Sequence, residues 1–380
     1  MCAFSPNDYR PNRLRAVRIC SEIQETAARR IVARHRQLMV QSGRPVTIYV
    51  KSKGGFIDSL NKIEDLLHTK DAEGKKRKYV TVASGTTSSA AAYLVVLGHY
   101  AYAQPRTWLV FHGVRYRVIE PLKNISSENA VSMVISLEAQ NRHIAGKLAN
   151  MMLYRLINRF KCFWQSPEGG AATQGINADK AIARFIHHVA LRLPAALASG
   201  FVTDAAKYAT HIGQWLQNSS ATAAPTAGAG IFGARAGILE AMFRTKIKSL
   251  SHLGATAANA AAVKWMADLP YLHHLKSAKY ASMIEELTEI YGPALLTDRE
   301  AQKYQSWQKK SPRQAKVFLI QVAGGRIFKL WCFAAAAGRK LLIGETVFSA
   351  TEAYWLGLVD EVLGTDLRWE PMGLEQRKRY

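Results

Sequence analysis

The sequence predicts an α/β protein in which a parallel sheet of repeated strand–helix units is interrupted by a long, mainly α-helical insertion. Three observations carry this. Short β-branched runs alternate with stretches at helical spacing through residues 1–120, residues 161–340 are alanine-rich and helical in pattern, and a strand-and-helix pattern returns over residues 341–380. Alternation of this kind argues for right-handed crossovers, with a site at the carboxyl ends of the strands. Residues 121–160 stand between the two regimes as one long helix, and the last residues, Arg377-Lys378-Arg379, form a basic tail.

Taken in order, Ala16 to Ile19 reads as a short strand, and Glu22 to Val40, with Ile23, Ala27, Ile31 and Met39 at roughly helical spacing, as a helix. Val46 to Val50 is a β-branched strand that stops at Lys51-Ser52-Lys53-Gly54-Gly55. Two residues without side chains let the backbone approach something closely and expose its N–H groups. Gly55 to His68 presents Ile57, Leu60, Ile63, Leu66 and Leu67 on one helical face, and Lys70 to Lys78 is a charged turn. Tyr79 to Ala83 is a further strand, running through Gly85-Thr86-Thr87-Ser88-Ser89-Ala90-Ala91-Ala92 into a buried helical turn, Tyr93 to Leu97. Thr107 to Phe111 is another strand, with His112 directly after it.

Those junctions suggest chemistry. Ser89 sits where a strand becomes a helix, so its hydroxyl is exposed while the N–H of Ala90 favours a developing negative charge. His112, closing a strand, is the candidate base for the serine proton. Ser88 is a less suited neighbour.

Composition bounds the remaining classes. The chain has 380 residues, 48% hydrophobic and 21% charged, enough for a sizeable core and more than one ordinary domain. Cys2, Cys20, Cys162 and Cys332 are scattered, without metal-ligand spacing or a disulfide framework, so a reducing, cytoplasmic setting is expected. Met1 to Asn12 does not read as a secretory signal. Val317 to Gly338 comes nearest to a membrane span, but Arg326 and Lys329 interrupt it and a buried element is the better reading. His187-His188 and His273-His274 lack partner ligands at metal spacing, so no metal and no cofactor are expected. The net charge of +23 is compatible with nucleic acid or another anionic surface as partner, but no recognition motif accompanies it. Ser219 to Gly230, small and low in complexity, reads as a flexible linker.

At Ser52-Lys53-Gly54-Gly55, Gly85-Thr86-Thr87-Ser88-Ser89, Gly98 and Pro105 to His112 the chain resembles the ClpP-type serine peptidases, the proteolytic subunit of the Clp protease, within the crotonase-like fold. Phe348 to Asp360 looks like the family's closing segment, a short helix leading to a Gly-Leu-Val-Asp strand. The resemblance implies a repeated β-β-α core, acyl transfer to Ser89 with His112 as base, and an oxyanion hole from Gly54 or Gly55 with Ala90. A carboxylate completes the set: Glu345 by position, Asp360 as the other choice, or no third member. Lys53 departs from the family's proline, Ala91 from its small glycine, and Glu345 from its aspartate.

The same resemblance implies a protein or peptide substrate, a homo-oligomer such as a stacked ring, and an ATP-driven unfoldase as partner. Ser127 to Phe160 is then either the ring-contact helix or an ordinary core helix. Rival readings are a catalytically silent structural or adaptor subunit, a phage-type head-maturation protease, and a crotonase-like acyl-CoA enzyme. The elbow serine argues against the last.

Overall fold

The computed structural model describes residues 9–67, 78–115, 127–166, 178–193, 285–342, 344–365 and 367. The charged turn, the low-complexity linker, the His273-His274 pair and the basic tail lie outside them, the first save for Lys78. The chain divides into two compact units, one of Met1–Asn158, Arg192–Pro194 and Lys340–Met372, the other of Arg159–Leu191, Ala195–Arg339 and Gly373–Tyr380.

The first unit is built on two sheets. Strands β1 (Ala16–Ile19), β2 (Val46–Val50), β3 (Tyr79–Ala83), β5 (Tyr100–Ala103) and β8 (Glu361–Val362) form a five-stranded sheet in the order β1-β2-β3-β5-β8, parallel throughout. Strands β4 (Thr86–Ser88), β6 (Trp108–His112) and β7 (Glu345–Ser349) form a second sheet in that order of β4-β6-β7. There β4 and β6 run parallel, while β6 and β7 run antiparallel. Strand β3 is buried along its whole length, which is why it shows no alternation with exposed polar residues; the hydroxyl of its one small polar residue, Thr81, donates to Val95 O.

Helices α1 (Glu25–Gln41), α2 (Ile57–Leu67) and α3 (Ala90–Leu97) make the crossovers. Only α1 and α2 show an apolar stripe. Helix α3 is buried from Ala90 to Val96, so it is apolar on every side. Helix α4 (Ser127–Gln165) is longer than the Ser127 to Phe160 expectation. Its Arg155 is buried at 1% exposure and forms a hub: the guanidinium donates to Asp360 (2.8 Å), Val96 O (3.0 Å), Gly98 O (3.0 Å) and Leu358 O (3.2 Å).

The closing segment differs in one detail from the expected Gly-Leu-Val-Asp strand. A helix from Ala350 to Leu356 ends at Gly357 in the left-handed region, and the strand β8 begins only after Asp360, whose carboxylate accepts from the Ala101 N–H at 2.7 Å. The Asp360 N–H in turn donates to Ala101 O at 2.7 Å, so backbone and side chain of one residue both hold Ala101.

In the second unit α5 (Ala178–Ala190) buries Phe185 against Phe160 and Phe163, with ring centroids 5.5 and 5.8 Å apart. Helices α6 (Asp298–Lys310) and α7 (Pro312–Lys340) are tied by Arg326, whose two terminal nitrogens donate to Glu300 at 2.7 Å each. Among the described residues α7 is the one helix long and apolar enough to cross a membrane, over Pro312–Gly338. Its Arg326 is buried and paired within the unit and 65% of its most apolar window is covered, the pattern of a core helix.

Candidate active site

The site is assembled in the first unit where the two sheets diverge. Strand β2 ends at Val50 and the chain runs through Lys51 to Gly55 beside the end of β4, the Ser88 N–H donating to Ser52 O at 2.9 Å. Ser52 turns this stretch back on itself. Its hydroxyl donates to Ser21 O at 2.7 Å and accepts from the Gly54 N–H at 3.1 Å. Gly54 and Gly55 both have positive φ, 100° and 155°. A Cβ on Gly54 would stand 2.6 Å from Ser89 Cβ, and one on Gly55 would stand 2.2 Å from Ile23 O. Two glycines are therefore dictated by contact: one lets the loop touch the serine, the other lets it touch the backbone after β1.

Ser89 is the only non-glycine residue with positive φ among the described residues, at φ 54° and ψ −130°. Its N–H donates to Val110 O at 2.8 Å and its C=O accepts the first bond of α3, from the Tyr93 N–H at 3.1 Å. No side chain caps α3. The N–H groups of Ala90 and of Gly55 make no hydrogen bond among the described residues, whereas that of Gly54 is engaged by Ser52. Of the expected oxyanion donors, Gly55 and Ala90 thus remain available. Gly54, whose amide is bonded to Ser52, also makes room for the serine.

His112 closes β6, two residues beyond the carbonyl that holds Ser89. Its Nδ1–H donates to Gly113 O at 2.7 Å, which leaves Nε2 as the basic nitrogen. Directly opposite His112 in the antiparallel ladder is Glu345, the first residue of β7. Residues facing each other this way lie on one side of the sheet with their Cβ atoms about 5 Å apart. Glu345 is exposed, and neither its carboxylate nor the Ser89 hydroxyl is hydrogen-bonded to the imidazole. Asp360 is at the far sheet, bonded to Arg155 and to the Ala101 N–H, and is not next to His112. Ser88 lies within β4, its N–H paired with Ser52 O.

Two features went unread in the sequence. Tyr93, 3% exposed, donates its hydroxyl to the backbone carbonyl of His112, and burial pushes the phenol far above its ordinary pKa, against a smaller opposite pull from that hydrogen bond and from Arg115. Its place inside an all-apolar run gave no hint of a polar partner. A pocket beside it is lined by Ile57, Leu60, Tyr93, Ile144 and Leu148, with the Glu64–Lys147 ion pair (2.6 Å) also on its wall. That pocket needs α4 packed against α2 and α3, a juxtaposition no local pattern encodes. Among the described residues no group of three or more His, Cys, Asp or Glu side chains converges as a metal site.

Residues 9–139 match the family model described as Clp protease. No curated protein sequence matches the chain. With a mostly parallel sheet, a serine elbow against a glycine turn and a histidine at the neighbouring strand end, the first unit is consistent with a ClpP-type core, and residues 9–139 are similar to the Clp protease family.

Proposed function

We propose that the chain is a serine-type endopeptidase. Ser89 Oγ attacks the scissile carbonyl while His112 Nε2 takes its proton, the oxyanion is held by the N–H groups of Gly55 and Ala90, and His112 then protonates the leaving amine. Water attacks the resulting ester, activated by the same imidazole, and releases Ser89. Glu345 turns toward His112 and replaces the Gly113 carbonyl as the acceptor for Nδ1–H when substrate binds; catalytic hydrogen bonds commonly tighten only in that complex.

The observation that carries this reading is the backbone of Ser89. A positive φ on a non-glycine residue costs on the order of 1–3 kcal/mol and persists where the surroundings enforce it, typically at functional sites. Here it faces the serine toward Gly54 at the head of an uncapped helix whose amides favour negative charge.

The test is peptide hydrolysis and fluorophosphonate labelling of wild type beside Ser89→Ala and Ser88→Ala, with the mass of the assembly measured alongside. Wild type and Ser88→Ala are expected to label and hydrolyse; Ser89→Ala is expected to lose the label and on the order of 10⁴-fold or more in rate. Hydrolysis that survives Ser89→Ala would remove the nucleophile, and a wild type that takes no label would favour a silent structural subunit.

A further inference from the structure

We propose that Tyr93 is the positioning residue that sets Ser89 against His112. This rests on the serine-peptidase reading above. The two groups belong to different elements, and something must hold their separation to within a fraction of an ångström, since a misplacement of about 1 Å costs on the order of 10²-fold in rate.

Tyr93 touches both. Its backbone N–H donates to Ser89 O at 3.1 Å, one helical turn back, and its hydroxyl donates to His112 O. A single residue therefore bonds to the main chain of the serine and to the main chain of the histidine. Its ring continues the brace: it packs on Phe111 with centroids 5.6 Å apart, and Phe111 meets Phe348 edge-on at 6.2 Å. Phe348 lies on β7, the strand that also carries Glu345. The hydroxyl at the tip is the only polar atom in this column of rings, and being buried it stays a neutral donor across the working pH range. Removing it leaves the packing intact and takes away one bond at the end of β6, whose ladder to β7 remains.

Tyr93→Phe is compared with Thr81→Val. Thr81, fully buried on β3, donates its hydroxyl to Val95 O at 2.6 Å, so it ties down the same helix α3 by the same kind of bond without reaching His112. Both variants are measured for thermal midpoint, kcat and KM on one peptide, and rate of fluorophosphonate labelling. Comparable losses of midpoint are expected, but only Tyr93→Phe should lose about 10- to 100-fold in kcat and in labelling rate, with KM within about twofold of wild type.

Wild-type kcat in Tyr93→Phe overturns the proposal. So does an equal loss of kcat in both variants, which would make the hydroxyl an ordinary helix anchor. Ser89→Ala separates the two levels: if it remains active the serine reading falls, whereas an inactive Ser89→Ala beside a fully active Tyr93→Phe removes the brace alone.

Discussion

At Ser89 three contacts act on one dihedral: the N–H held by Val110, the carbonyl held by Tyr93, and the side chain pressed against Gly54. None is local to the Ser88-Ser89 step, so the elbow is imposed by pairing between β4 and β6 and by the glycine loop. A second residue-scale question is the carboxylate. Glu345 stands opposite His112, while Asp360 is bonded to Arg155 on α4 and to the Ala101 N–H on β5 of the other sheet. Glu345→Gln is therefore expected to lower kcat, by up to about 10⁴-fold, with little change in unfolding midpoint because the side chain is exposed. Asp360→Asn should do the reverse. Steady-state kinetics and thermal melts of the pair decide it, and unchanged kcat in Glu345→Gln would take this residue out of the mechanism. The sequence placed both carboxylates near the closing segment but left the choice open, since which one meets the histidine depends on strand register across a long stretch of chain.

Among elements, the legible ones were those with a strong pattern. The β-branched strands β2 and β3 and the striped helix α2 were readable from spacing alone. Strands β4 and β5 were not singled out, because three and four residues of Thr-Thr-Ser and Tyr-Ala-Tyr-Ala are too short and too mixed to separate from a turn. Helix α3 was legible only as a buried turn from Tyr93, and its true start at Ala90 matters because it places that residue's N–H beside Ser89. The glycine loop was readable as a close approach, though not what it approaches. Its two glycines make a sharp prediction: Gly54→Ala drives a methyl into Ser89 Cβ and Ser88 O (2.8 Å) from a left-handed backbone, so hydrolysis should be lost and the fold weakened. Gly43→Ala, with nothing within 4 Å, serves as the control and should match wild type in both assays. An active Gly54→Ala would mean that the loop does not press on the serine.

For the molecule as a whole, the family match ends at residue 139, yet neither sheet is complete without β7 and β8, which follow Lys340. The closing segment must therefore return to the first unit after the long intervening stretch, and Arg155 is the residue that fastens it. Its guanidinium joins the carboxyl end of α3, through Val96 O and Gly98 O, to Leu358 O and Asp360, a favourable place for a cation at the end of a helix. Losing it strands a mostly buried carboxylate and three carbonyls. Arg155→Met is expected to cost about 3–5 kcal/mol in denaturant unfolding of the first unit, the usual penalty for breaking one side of a buried pair. Much of that penalty is the carboxylate left unpaired, so Arg155→Met with Asp360→Asn should be more stable than the sum of the two single losses, with a coupling of about 0.5–3 kcal/mol. Additive losses would mean that the pair is not the fastening, and that the closing segment is held by strand pairing alone; a coupling of the expected size would identify residues 155 and 360 as the point where the two ends of the core meet.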